Sequence, residues 1–78
     1  MSRLAEQLAD KLAADVIKHV EATGDEDIIR MMATSLGDSS QTLQEAFITS
    51  VRVQRAAIRA RAQLQRRIAE FAKPAEGG

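Results

Sequence analysis

The sequence contains no cysteine, no tryptophan and no tyrosine, and its 78 residues include one proline, one histidine and two phenylalanines. Without cysteine the chain can form no disulfide, no thiolate nucleophile and no cysteine-ligated zinc site. With so few aromatic side chains a core buries little apolar area per residue, so the large aliphatic residues must supply most of the burial. At this length we expect one small domain with a marginal core, which a partner often completes.

The sequence also lacks a long apolar run. Its first residues carry charges every few positions and include no apolar stretch typical of a signal peptide. No stretch approaches the length that spans a bilayer. We therefore expect a cytoplasmic protein without a membrane partner.

Charge is balanced in number but divided along the chain. Residues 1–45 hold four basic and nine acidic side chains, whereas residues 46–78 hold seven basic and two acidic ones. The first part therefore carries a net charge of −5 and the second part a net charge of +5. Such a division indicates that the molecule recognises a charged surface.

Capping residues and glycines divide the chain into predicted helices at about 3–22, 25–36 and 39–72. Gly24 can take the left-handed conformation that ends the first helix. Thr23 and Glu26 have the spacing of a capping box for the second helix, and Gly37 is expected to end it. The third helix meets no glycine or proline before Pro74.

The apolar faces of these helices predict an all-α domain over residues 1–73, followed by a flexible tail at 74–78. The first helix has a wide apolar arc that one neighbour cannot cover. It could lie in line with the second helix, giving a long helical hairpin, or fold back into a compact three-helix unit from which the end of the third helix projects. Either arrangement places Phe47 in the core and leaves an apolar surface, so we expect a dimer or higher oligomer.

The basic residues of the third helix form a stripe opposite its apolar face. The members of this basic stripe are Arg52, Arg55, Arg59, Arg66 and Lys73. Three interpretations stay open: a solvated surface, recognition of an acidic protein surface that includes the first helix of another copy, and phosphate contacts along a nucleic acid. A net charge of zero, a pI of about 6.6 and the lack of aromatic residues placed for base stacking favour a protein partner.

Three further polar residues are candidates for an interface or for fixing helix register. Arg61 lies near the centre of the apolar face of the third helix. A charge there either reaches solvent along an apolar stem or pairs with a carboxylate such as Asp15. His19 falls inside the apolar arc of the first helix, one turn after Asp15, which could accept a hydrogen bond from its imidazole.

No pattern of catalytic or metal-binding residues stands out. His19 is accompanied by no evident nucleophile or carboxylate pair. The three acidic residues at 25–27 lack the ligand spacing and the central glycine of a calcium loop. We therefore predict no enzyme activity and no metal.

The segment Leu36-Gly37-Asp38-Ser39-Ser40 resembles the loop of acyl carrier proteins, in which a serine at a helix start carries phosphopantetheine. That resemblance would imply Ser39 as the attachment point. The sequence departs from the family at Ser40, where the family has leucine, and in the basic helix that follows. We therefore predict no cofactor and a small helical interaction or regulatory module that acts through protein contacts; the alternative is a nucleic-acid-binding regulator that uses the basic stripe.

Overall fold

The computed structural model describes residues 3–72, which form three α-helices and no strand. These are α1 (Arg3–Thr23), α2 (Asp27–Ser39) and α3 (Gln41–Ala72). The predicted all-α class and the dominant length of the third helix are confirmed. The predicted tail and Lys73 lie outside the described residues. None of the three described helices combines the length and the apolar character needed to cross a bilayer.

Helices α1 and α3 run in the same direction. Near the start of α1, the side chain of Asp10 accepts a hydrogen bond from Ser50, with 2.6 Å between the two oxygens. Near the end of α1, Val20 lines a small cavity together with Ile58, further along α3. The first helix therefore folds back beside the first half of α3, which is the compact arrangement of the two considered from the sequence.

Helix α2 runs antiparallel to α3 and covers the same half of it. Glu26, just before α2, binds Arg55, and the carbonyl oxygen of Ala33 accepts a hydrogen bond from Gln44, which lies earlier in α3. Every residue from 56 to 72 is exposed, so the second half of α3 projects beyond its neighbours. The described chain is accordingly elongated, with Cα extents of 60 × 28 × 13 Å.

The core lies where the three helices meet, and it is small. Its buried members are Ala9, Ala13, Val16, Val20, Phe47 and Val51. Phe47 is the only large side chain among the described residues that is fully buried, as the sequence predicted. Alanine at two positions of α1 leaves space for this ring and lets the helices approach closely.

The turn between α1 and α2 differs from the predicted capping box. Gly24 has the expected positive φ of 77° and donates from its backbone to the carbonyl oxygen of Val20. Thr23 accepts a hydrogen bond from the backbone N–H of Asp25, at 3.1 Å. Glu26 occupies the N-cap without a side-chain capping bond, because its carboxylate binds Arg55 in α3 instead. The long-range contact between Glu26 and Arg55 thus takes the place of the local capping hydrogen bond.

The end of α2 also differs from the prediction, because Gly37 lies inside the helix and does not end it. A Cβ atom at position 37 would meet the side-chain amide of Gln44. That amide donates to the carbonyl oxygen of Ala33 at 2.9 Å, so glycine here leaves space for a contact between α2 and α3. The helix continues to Ser39.

Ser40 separates α2 from α3 and forms a hydrogen bond with each of the two helices. Its extended backbone (φ −156°, ψ 108°) breaks the helix, while its N–H still donates to the carbonyl oxygen of Leu36 at 2.8 Å. Its hydroxyl accepts from the N–H of Leu43 at 3.1 Å and so caps α3. One residue is thus enough to reverse the chain, which holds α2 against the start of α3.

Replacing Phe47 with alanine should lower the free energy of unfolding by about 3–5 kcal/mol, because it empties the centre of a small core. Met31→Ala is the matched control: this side chain is 62% exposed on α2, so its truncation should change stability by less than about 0.5 kcal/mol. Urea unfolding followed by circular dichroism measures both. A loss below about 1 kcal/mol at position 47 would contradict the packing described above.

Candidate interaction surface on helix α3

The projecting part of α3, residues 59–72, presents large apolar side chains to solvent. We call it the distal segment. Leu64 and Ile68 are each 57% exposed and Phe71 is 78% exposed. Neither α1 nor α2 reaches these residues, so nothing in the described chain covers them. Several large apolar side chains exposed on one projecting helix are typical of an interaction surface.

The exposed apolar residues of the distal segment continue a longer pattern along α3. Residues separated alternately by four and three positions lie on one side of a helix, and this spacing is typical of helices that pack along their length. We call the following set the apolar strip: Ala46, Val53, Ala57, Ala60, Leu64 and Phe71, with Ile68 beside it. Val53, at 61%, is as exposed as Leu64. The strip therefore runs from the covered half of α3 into the distal segment.

The basic stripe is divided by the structure. Arg55 is half-buried and binds Glu26 through both nitrogens, Nη1 to Oε1 at 3.1 Å and Nη2 to Oε2 at 2.9 Å. Arg52, Arg59 and Arg66 are exposed. One member of the predicted stripe thus joins α3 to the turn before α2, while the other three described members face solvent.

The Glu26–Arg55 pair changes the ionisation of both partners. The side-chain hydrogen bonds from Arg55 hold the pKa of the Glu26 carboxyl below its ordinary value, because they favour the carboxylate form. The same hydrogen bonds raise the pKa of Arg55. The pair has bidentate geometry, which fixes orientation as well as distance.

Two further arginines lie beside the apolar strip. Arg61, predicted from the sequence as an interface residue, is exposed, and so is Asp15, its suggested partner. Within residues 3–72 these two side chains form no ion pair. Arg67, which the sequence analysis missed, places its guanidinium carbon 5.2 Å from the centre of the Phe71 ring. Its spacing of four residues from Phe71 was the available signal for this cation–π contact.

His19 lies near the end of α1 and contacts the turn that follows, and it is not part of an apolar interface within the chain. Its imidazole is exposed, and Nε2 lies 3.0 Å from Oδ2 of Asp25. Asp15, the carboxylate expected from the helical spacing, is not the partner. The carbonyl oxygen of His19 also accepts a hydrogen bond from Thr23 at 2.7 Å, so this residue helps to order the turn.

A second feature, missed by the sequence analysis, is a groove of about 820 Å³ between the start of α1 and the first half of α3. We call it the acidic groove. Its lining includes three carboxylates and three small apolar side chains: Glu6, Asp10, Glu45, Ala5, Ala46 and Val53. It thus contains the first two members of the apolar strip.

One wall of the acidic groove is held in place by a polar network. Asp10 accepts from the hydroxyl of Ser50, and the amide of Gln54 donates both to that hydroxyl at 2.9 Å and to the backbone oxygen of Asp10 at 3.0 Å. Ser50 is buried, so this network fixes α1 against α3. The acidic groove is therefore a preformed feature of the fold.

Residues 3–72 contain no group of three or more His, Asp or Glu side chains arranged to hold a metal ion. Ser39 is the last residue of α2, so it does not start a helix as the serine of acyl carrier proteins does. No protein-family model, curated protein or solved structure matches the chain. The distal segment and the acidic groove are therefore the features that bear on its function.

Replacing Arg55 with glutamine should remove a pH-dependent contribution to stability. The pKa of Glu26 is lowered in the folded state, so the contribution is present above the ordinary glutamate pKa of about 4.3 and is lost as pH falls through the depressed value. The melting temperatures of wild type and Arg55→Gln should therefore differ at about pH 6 and converge as the pH falls below the ordinary glutamate pKa. Arg52→Gln, an exposed neighbour, is the control and should show no such convergence. A difference for Arg55→Gln that is constant across this range would contradict the assigned pair.

Proposed function

We propose that this protein is a small non-enzymatic interaction module that binds a helical protein surface through its distal segment. The observation that carries this proposal is the exposure of Leu64, Ile68 and Phe71 on a helix that projects beyond the core. An exposed apolar surface lowers the solubility of a protein, so its presence indicates a partner that covers it.

Burial of the distal segment would contribute a substantial part of the free energy of binding. Fully burying one large apolar side chain contributes about 1.5–3 kcal/mol. Three such side chains, with the alanines between them, offset a large part of the entropy lost on association. The partner is expected to be a helix, because a strip spaced by four and three residues matches the ridges of another helix.

The arginines of the distal segment indicate the charge of that partner. The segment contains Arg59, Arg61, Arg66 and Arg67 but only one carboxylate, Glu70. Arg61 and Arg67 lie beside the apolar strip, whereas Arg59 and Arg66 lie on the opposite side of the helix. Positive charges at the rim of an apolar contact speed association with an acidic surface and disfavour basic ones. An acidic helical protein is thus the partner that this surface fits.

A nucleic-acid-binding regulator is the second candidate, and the same four arginines are the observation in its favour. Phosphate binding would depend steeply on salt and would not require the apolar strip. The apolar residues between the arginines are mainly aliphatic, which suits helix packing better than base stacking. The test is binding of a labelled nucleic-acid duplex by wild type and by a variant with both Leu64 and Ile68 replaced by glutamine. Binding that falls steeply with salt and persists in the variant would establish this alternative in place of the protein partner.

Replacing both Leu64 and Ile68 with glutamine should abolish partner binding and leave the fold intact, because both side chains are exposed. Immobilised wild-type protein should retain specific proteins from a lysate of the source cells, and quantitative mass spectrometry should show at least about a tenfold loss for the variant. Met31→Gln, a polar substitution of an equally exposed residue on α2, is the matched control and should retain the same proteins. Equal recovery by all three would contradict the proposed function.

A further inference from the structure

We infer that the distal segment binds a second copy of this chain, lying antiparallel in that copy's acidic groove between α1 and α3. This inference rests on the proposed function and names the partner of its surface. It assigns a role to the acidic groove, which the proposed function leaves unused.

Charge complementarity is the first argument. The acidic groove carries Glu6, Asp10 and Glu45, while Arg61 and Arg67 lie beside the apolar strip of the distal segment. The two surfaces belong to the oppositely charged parts of one chain, whose total formal charge is zero. A second copy therefore offers the acidic helical surface that the distal segment fits, and association neutralises both.

Complementary side-chain size is the second argument. The apolar side chains that line the acidic groove are small, namely Ala5, Ala46 and Val53, whereas the distal segment presents large ones. If the two α3 helices pair in opposite directions about Ala57 and Ala60, Ala46 lies opposite Phe71 and Val53 lies opposite Leu64. Each large residue then faces a smaller one, which is the packing that lets ridges of one helix enter spaces on another.

The third argument is that a complex of two copies is closed, with both surfaces of each copy occupied. Each copy contributes one distal segment and one acidic groove, so two copies satisfy each other and leave neither surface open. The paired strips extend over about 38 Å, at 1.5 Å per residue from Ala46 to Phe71. The central pair of α3 helices would be flanked by the two α1 helices, which is a four-helix arrangement of a common kind.

The test uses two charge-reversed variants of the full chain. The distal variant is Arg61→Glu with Arg67→Glu, and the groove variant is Glu6→Arg with Glu45→Arg; Asp10 is left unchanged because it binds Ser50. Sedimentation equilibrium should show a wild-type dimer at micromolar concentration. Each variant alone places like charges against each other and should dimerise at least about tenfold more weakly. An equimolar mixture should recover the wild-type affinity, because both contacts of the mixed dimer are again between opposite charges.

Recovery on mixing distinguishes docking from a general effect of charge on folding, and circular dichroism should show equal helicity for all samples.

The chain has no cysteine, so the relative orientation of the two copies can be measured independently by disulfide formation. Val53→Cys mixed with Leu64→Cys should form a mixed disulfide faster than either forms one with itself. A monomer at all concentrations, weakened variants that mixing does not rescue, or faster self-linking would each overturn the inference. If the chain is monomeric but its distal segment still retains other proteins, the proposed function stands and only the identity of the partner is wrong.

Discussion

The length of α3 relative to its neighbours governs the rest of the structure. This helix has 32 residues, against 21 in α1 and 13 in α2. Ser40 turns α2 straight back along the start of α3, and Gly24 then returns α1 to the same region. Both shorter helices therefore cover one half of α3, and the core forms there around Phe47. The remaining half keeps its apolar side chains in contact with water, which is why it dominates the functional interpretation.

Polar contacts decide how the covering helices are oriented. The network of Asp10, Ser50 and Gln54 joins α1 to α3, and the Glu26–Arg55 pair joins the turn before α2 to the opposite side of α3. The acidic groove lies on the other side of α1, between its start and the first half of α3. The division of charge along the sequence thus becomes a division in space, with carboxylates beside the core and arginines on the distal segment.

Local signals in the sequence predicted the elements but not all of their contacts. The left-handed conformation of Gly24 and the burial of Phe47 follow from helix-ending and helical-periodicity rules that depend on nearby residues. Gly37 was expected to end α2, and this prediction was wrong. Its actual role depends on Gln44, which lies in another helix and is not a local signal. The exposed distal segment could be anticipated from the length of α3. The acidic groove could not, because it requires knowing that Glu6 and Glu45, far apart in sequence, lie on neighbouring helices.

Hydrogen exchange across residues 59–72, measured over a series of protein concentrations, reports whether a second copy covers the distal segment. A single projecting helix without a partner is marginal in water, so its amides exchange quickly unless another surface covers them. We expect exchange in the distal segment to slow as concentration rises, while the amides around Phe47 are protected throughout. Fast exchange of the distal segment at every concentration, with the core still protected, would show that no second copy covers α3.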